Sequence, residues 1–266
     1  MKTNKELTEF ASKRYGQNFL KNHNYILKII QAMPKDNLPI VEIGPGLGDL
    51  TKELVRAKNV TAYEVDKRLC EHLTTEFEDS ISQGILTLKC GDAIEHWDSD
   101  GLLDRPYHLV ANLPYYIATN LILKALRDPN CQSVLTMVQK EVALKFSAQS
   151  EDRNFSSLSV LADTTGDAKI CFDVEAEAFV PPPKVTSAVL SIRKSNSLDD
   201  KGFEIFLKSA FTQPRKKLSK NLTGRYDKEE VRVAFATLDI KDNLRPHQAT
   251  TAIYHQLYKI LEQKEN

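Results

Sequence analysis

Two carboxylates, a glycine turn and one asparagine have the types and spacing to act on a nucleoside. The stretch Glu42-Ile43-Gly44-Pro45-Gly46-Leu47-Gly48 is a glycine-rich turn. Glycine there, at Gly44 and Gly46, lets the backbone come close to a ligand. Glu64 stands 20 residues after Gly44, where a carboxylate can accept both hydroxyl protons of a ribose. Asp92 follows a later apolar run and can accept from an adenine amino group. Asn112-Leu113-Pro114-Tyr115 offers a carboxamide oxygen as acceptor, a proline with no competing N–H, and a flat ring for stacking a base. The turn reads GxGxG, not the GxGxxG of dinucleotide binders. An adenosine-containing cofactor fits these residues, with NAD as the competitor.

The asparagine motif favours amine methylation. The lone pair of an adenine amino group is delocalised into its ring. Acceptors that hold the amino protons can draw that nitrogen toward tetrahedral geometry and aim its lone pair at a methyl donor. In-line positioning then supplies much of the rate. Asn112 and the backbone carbonyl of Leu113 are the candidate acceptors, and Tyr115 the stacking ring. An NAD enzyme is disfavoured, since no acid/base pair for hydride transfer is evident.

These residues need a scaffold that brings loop ends together. Short apolar runs at 39–44, 59–66, 85–90, 107–111 and 133–138 read as strands, with helical segments between them. Strands alternating with helices predict a doubly wound α/β sheet, and every motif falls at a strand's carboxyl end, where such sheets bind ligands. Two strand-like stretches flank Val180-Pro181-Pro182-Pro183 and predict a closing antiparallel hairpin at the sheet edge. A polar stretch after Lys194 reads as a linker. The division is therefore 1–197 for the sheet domain and 198–266 for a small helical one.

Composition bounds the rest. The chain has 266 residues, 41% hydrophobic and 27% charged, enough for a real core. No apolar run nears the roughly 20 residues of a membrane span, and no secretory signal is evident. Four cysteines at least 20 residues apart disfavour a zinc ribbon or disulfide scaffold and suit a reducing cytoplasm. No metal site is expected. Lys plus Arg and Asp plus Glu are each 36, yet residues 1–35 carry a balance of +5 and 208–225 one of +6. Two basic blocks within a neutral chain suggest a localised polyanion face.

The motifs together resemble the KsgA-type rRNA adenine N6-dimethyltransferases, a branch of the class I methyltransferases. The resemblance rests on Arg14-Tyr15-Gly16-Gln17-Asn18-Phe19-Leu20, the 42–48 turn, Tyr63-Glu64-Val65-Asp66, Gly91-Asp92-Ala93 and Asn112–Tyr115. It extends through Gln139-Lys140-Glu141-Val142, Phe179-Val180-Pro181-Pro182-Pro183-Lys184-Val185, and Ala210-Phe211 with Arg215-Lys216-Lys217 and Asn221-Leu222. The resemblance implies a Rossmann-like α/β fold with a mixed seven-stranded sheet and a small C-terminal helical domain. It implies S-adenosylmethionine as cofactor, held by Asn18, Leu20, Gly44, Gly46, Glu64, Asp92 and Asn112. Tyr115 and Phe179 would sandwich a flipped adenine, with Asn112 and Leu113 on its amino group. RNA contacts would come from Arg14, Lys21, Lys184, Arg215, Lys216, Lys217 and Lys220. The implied substrate is small-subunit rRNA in a partly assembled 30S particle, dimethylated at two adjacent adenosines near its 3′ end. The enzyme would be a cytoplasmic monomer.

Three stretches depart from the family pattern. Phe155-Ser156-Ser157 lacks the family's usual glycine and arginine. Pro214 lies inside the basic segment and predicts a helix start or kink there. Arg245-Pro246-His247-Gln248 differs from the common Arg-x-Glu-x. Two other readings compete: a large-subunit adenine methyltransferase of the macrolide-resistance type, and an assembly factor whose chemistry is secondary.

Overall fold

The computed structural model describes residues 4–97 and 101–262; Lys2 of the N-terminal basic block lies outside them. Nine strands form, in chain order β1 (Phe19–Leu20), β2 (Ile40–Ile43), β3 (Val60–Glu64), β4 (Leu86–Cys90), β5 (Tyr107–Asn112), β6 (Cys131–Gln139), β7 (Gly166–Val174), β8 (Phe179–Val180) and β9 (Ser187–Lys194). Seven make one sheet in the order β4-β3-β2-β5-β6-β9-β7. Strands β4, β3, β2, β5 and β6 pair in parallel, and β9 runs antiparallel to β6. All of β2 and β3 is buried, as expected for strands covered on both faces.

Strand order reverses between β2 and β5. That crevice is where open α/β sheets bind ligands. β2 leads through the glycine turn into the helix Asp49–Ala57, β3 into Lys67–Glu76 capped by Asp66, and β5 into Ala118–Arg127. Gly48 has φ +85°, and a Cβ there would lie 2.5 Å from the Phe77 ring. Only glycine makes that turn without displacing a buried aromatic.

The proline-flanking stretches become β7 and β9, with β9 inserted between β6 and β7. Between them, β8 leaves the sheet and pairs antiparallel with β1, Leu20 opposite Phe179 and Phe19 opposite Val180. The core beneath this ribbon gathers Leu20, Ile26, Val110, Met137, Val174, Phe179 and Val189.

The chain divides into two compact units, Met1–Ala143 with Asp167–Ser197, and Leu144–Gly166 with Leu198–Asn266. Leu144–Gly166, placed by sequence in the sheet domain, thus belongs to the second unit. There Phe155 meets Phe211, Thr164 bonds His255, and Glu151 N donates to the His247 carbonyl at 2.8 Å. Burial of aromatic rings holds this unit, with Phe206 against Phe203, Tyr254 and Tyr258, and Phe203 against Tyr258.

The departures from the family pattern have structural uses in this unit. Ser159 Oγ accepts from the Ser156 N–H and donates to the Lys145 carbonyl at the start of the helix Ser157–Thr165. Gln248 accepts from the Arg245 N–H, and Tyr254 donates to the Pro246 carbonyl at 2.6 Å. Pro214 lies in a turn between the helices Lys201–Ala210 and Leu218–Leu222. Arg215, Lys216 and Lys217 therefore sit in that turn and not on a continuous basic helix, since proline bars the backbone bond that would extend one.

One cysteine expectation is corrected. Cys70 and Cys90 form a disulfide. Their separation of 20 residues carries no local signature. They meet because β3 and β4 pair with Glu64 opposite Cys90, and Cys70 lies in the helix that follows β3.

Candidate active site

A cavity of about 370 Å³ opens at the carboxyl ends of the parallel strands. That size suits a nucleoside-bearing ligand. Asn18, Leu20, Gly44, Gly46, Glu64, Asp92 and Asn112 all line it, as do Leu113, Tyr115 and Arg14.

The glycine turn forms one wall. Gly44 and Gly46 have φ +70° and +64°. A Cβ on Gly46 would sit 3.2 Å from the Phe19 ring, so a side chain there would press on the opposite wall. Phe19 is both core and lining, being 5% exposed and part of the cavity surface.

Glu64 is 4% exposed. Its Oε2 accepts from Gly46 N at 3.1 Å and its Oε1 from Asp66 N at 2.9 Å. Each carboxylate oxygen keeps acceptor capacity for a ligand hydroxyl. Burial pushes this carboxyl upward, and the N–H groups of Asp66 and Gly46 offset part of that. Asp92 spends Oδ1 on Ile94 N at 2.8 Å, leaving Oδ2 as acceptor.

The segment Arg14–Lys21 straps across these loops. Gln17 donates to Asp66 Oδ2 at 3.1 Å, and Lys21 pairs with Asp49 at 2.6 Å. Asn112 Nδ2 donates to the Asn18 carbonyl at 3.1 Å. That bond fixes which way the carboxamide faces and keeps its Oδ1 as the acceptor. Tyr115 lies beside it, with its hydroxyl 2.5 Å from Ser187 Oγ. Burial raises the Tyr115 phenol, so it stays neutral.

Phe179 is not brought to the cavity. It is 2% exposed, and its register partner in β1, Leu20, does line the cavity. A benzyl group is lower in free energy buried in the core than open to water.

Gln17, Tyr116, Ser187 and Glu42 were not singled out by sequence. Tyr116, 66% exposed, lines the cavity and rests its ring on Gly16. Its signal was available in the doubled tyrosine after Pro114. Gln17 and Ser187 act through hydrogen bonds that no spacing announces.

Glu42 is 1% exposed and accepts from Thr51 Oγ1 at 2.7 Å. Burial pushes its carboxyl up to about 8, with the Thr51 bond opposing and the Glu64 charge adding. A carboxyl raised on folding keeps a proton that the unfolded chain loses. Its contribution is intact below the ordinary value of 4.5 and declines as pH rises toward about 8. Glu42→Gln is expected to flatten the stability–pH profile across that window, with a gain on the order of 4 kcal/mol at its upper end. Denaturant melts across the window check it; an unchanged slope would show that Glu42 holds no such proton.

The basic candidates differ in their engagement. Arg14, Lys21, Lys184, Arg215, Lys216, Lys217 and Lys220 are all exposed. Lys21 pairs with Asp49, and Lys217 with Asp242 at 2.6 Å. Arg215, Lys216 and Lys220 form no ion pair among the described residues. Those residues also include no cluster of metal-ligating side chains and no helix long and apolar enough to cross a membrane.

Fold and cavity together define a class I methyltransferase. Two solved structures share the architecture. One is a dimethyladenosine transferase from Plasmodium falciparum, with TM-score 0.76 and 23% identity, covering 90% of this chain and 95% of that one. The other is the 23S rRNA methyltransferase ErmE, with TM-score 0.70 and 23% identity, covering 92% and 100%. In sequence the chain is 52% identical over 250 residues to the ribosomal RNA small subunit methyltransferase A of Sulfurimonas denitrificans, covering 94% of this chain and 93% of that protein. It is 51% identical to the protein of the same name from Aliarcobacter butzleri, covering 96% and 98%. The ribosomal RNA adenine dimethylase profile matches residues 9–263. The chain belongs to the ribosomal RNA adenine dimethylase family, and its methyl donor is S-adenosylmethionine.

Proposed function

We propose that this enzyme dimethylates the N6 amino groups of two adjacent adenosines near the 3′ end of small-subunit rRNA. It does so on a partly assembled 30S particle in the cytoplasm, as a monomer. One observation carries the reading. Asn112, latched by its Nδ2 to the Asn18 carbonyl, shares a single cavity with Gly44, Glu64, Asp92 and Tyr115. The small-subunit substrate is supported by the names of the relatives similar over nearly the whole chain.

S-adenosylmethionine, when bound, supplies an electrophilic methyl group on a sulfonium. The residues present suit it. The glycine turn leaves room that a Cβ would fill, Glu64 and Asp92 offer acceptors for ribose and adenine, and the cavity has the volume. Asn112 Oδ1 and the Leu113 carbonyl accept the amino protons of the target adenine, which leaves its stack to enter. Tyr115 offers its ring to the base. Phe179 lies in the same core cluster as Leu20, which lines the cavity. No side chain needs to take a proton before transfer; the excess proton leaves to water.

RNA phosphates set affinity and register, not base choice. Arg14, Lys184, Arg215, Lys216 and Lys220 are the contacts we assign. Lys21 and Lys217 must first leave their acidic partners. Lys216→Gln with Lys220→Gln is expected to lower the slope of log affinity against log salt by about 1.5. Filter binding to small subunits across a salt series reads it, and an unaltered slope would remove both residues from the interface.

The reading is tested by methyl transfer from labelled cofactor to subunits of a strain lacking this enzyme, followed by nucleoside analysis. Dimethyladenosine in small-subunit rRNA is expected. Label confined to large-subunit rRNA would overturn the assignment in favour of the macrolide-resistance type.

A further inference from the structure

The disulfide stands between the two loops assigned to the cofactor's nucleoside. Cys90 ends β4 and is followed directly by Gly91 and Asp92. It is the register partner of Glu64. Cys70 Sγ lies 3.5 Å from the Glu64 carbonyl oxygen, and Gly91 N donates to that same oxygen at 2.8 Å. One covalent bond therefore brackets the backbone of the ribose acid and anchors the start of the adenine loop. The two half-cystines differ in access: Cys70 is 5% exposed, whereas Cys90 is solvent-exposed. In a compartment that keeps thiols reduced, a single bond of this kind is transient or redox-sensing, not a structural framework.

We infer that Cys70 and Cys90 form a reversible thiol–disulfide site, reduced by a dithiol, whose state sets the affinity for S-adenosylmethionine. The inference rests on the reading that Glu64 and Asp92 hold the nucleoside. In the forward step a thiolate of the dithiol attacks Cys90 Sγ. The Cys70–Cys90 bond breaks, and Cys70 leaves as a thiolate that takes a proton. The second thiol of the reductant then attacks the mixed disulfide and expels Cys90, which is protonated in turn. The protein gains two electrons and two protons, and the dithiol becomes a disulfide. Reoxidation is the same exchange run against a small disulfide such as oxidised glutathione.

The coupling is entropic. With the bond closed, the segment after Cys90 is tethered to the helix bearing Cys70, and the ligand meets a preorganised loop. With the bond open, that loop has more freedom to lose on binding. A loss of about tenfold in affinity on reduction falls in the range of ordinary coupling. Linkage makes the effect reciprocal. Bound cofactor makes the disulfide harder to reduce by the same factor, about 30 mV for a two-electron couple.

The test uses the full chain in two states, after dithiothreitol or after oxidised glutathione. Alkylation in denaturant with mass analysis counts free thiols, and calorimetric titration with S-adenosylmethionine reads affinity. The expected result is two free thiols, Cys131 and Cys171, in the tighter-binding oxidised protein, and four in the weaker-binding reduced one. Cys90→Ser, at an exposed position, is expected to bind as the reduced protein does and to ignore the reductant. Cys70→Ala gives a second route to the same comparison. Equal affinity in both verified states would overturn the coupling. Alkylation of Cys70 and Cys90 after oxidised glutathione would overturn the site. Binding in neither state would instead sink the placement of the nucleoside on Glu64 and Asp92, and this inference with it.

Discussion

Asn112→Ala is expected to lower turnover on small subunits by on the order of 10²-fold or more while cofactor affinity changes little. The carboxamide has two separable duties. Its Nδ2 bonds the Asn18 carbonyl at 3.1 Å, and its Oδ1 remains to accept an amino proton. Alanine removes both. Asn112→Asp separates them, since aspartate can still accept from the amine yet cannot donate to the strap. A carboxylate oxygen facing the Asn18 carbonyl is repulsive, so the strap should loosen. The aspartate variant is expected to fall between wild type and alanine in turnover and to bind cofactor more weakly than either. Single-turnover rates with saturating cofactor, beside calorimetric affinities, give the two readouts. Normal single-turnover methylation by the alanine variant would eliminate the amino-group role.

The strap explains why the expected pocket was legible in outline and not in detail. Strand runs ending in Gly44, Glu64, Asp92 and Asn112 are local features, and the sheet order brings those ends to one edge. Residues that hold the cavity together act across the fold. Gln17 finds Asp66 over 49 positions of sequence, and Tyr115 finds Ser187 over 72. No periodicity encodes such pairs. Strands β1 and β8 have two residues each, too few for any alternation to show, and Phe179 is buried in a core cluster drawn from many elements. The motif around Phe179 names a residue type but says nothing of its exposure. Net charge misleads in the same way: Lys217 counts toward a basic block, but Asp242 lies 2.6 Å from it. Leu144–Gly166 follows sheet residues in sequence, but its aromatic partner Phe211 and hydrogen-bonding partner His255 come much later.

Glu64→Ala is expected to weaken S-adenosylmethionine by on the order of 10²-fold or more, with turnover at saturating cofactor much less affected. Two charge-assisted hydrogen bonds to ribose hydroxyls contribute about 1.5–3 kcal/mol each, and each 1.4 kcal/mol is about tenfold. An interaction made equally in ground and transition states acts on affinity, not on the chemical step. The carboxylate also holds Gly46 N and Asp66 N, so a loss on mutation does not by itself identify a ribose contact. Glu64→Gln is no neutral control, because its amide nitrogen must face one of those two N–H donors. A cofactor analogue lacking the 2′-hydroxyl resolves this through a double-mutant cycle. If Glu64 accepts from the ribose, the analogue binds wild type more weakly than the parent does, and the alanine variant scarcely tells the two apart. If alanine weakens both ligands by the same factor, Glu64 acts by holding the glycine turn, and the ribose hydroxyl must find its acceptor elsewhere.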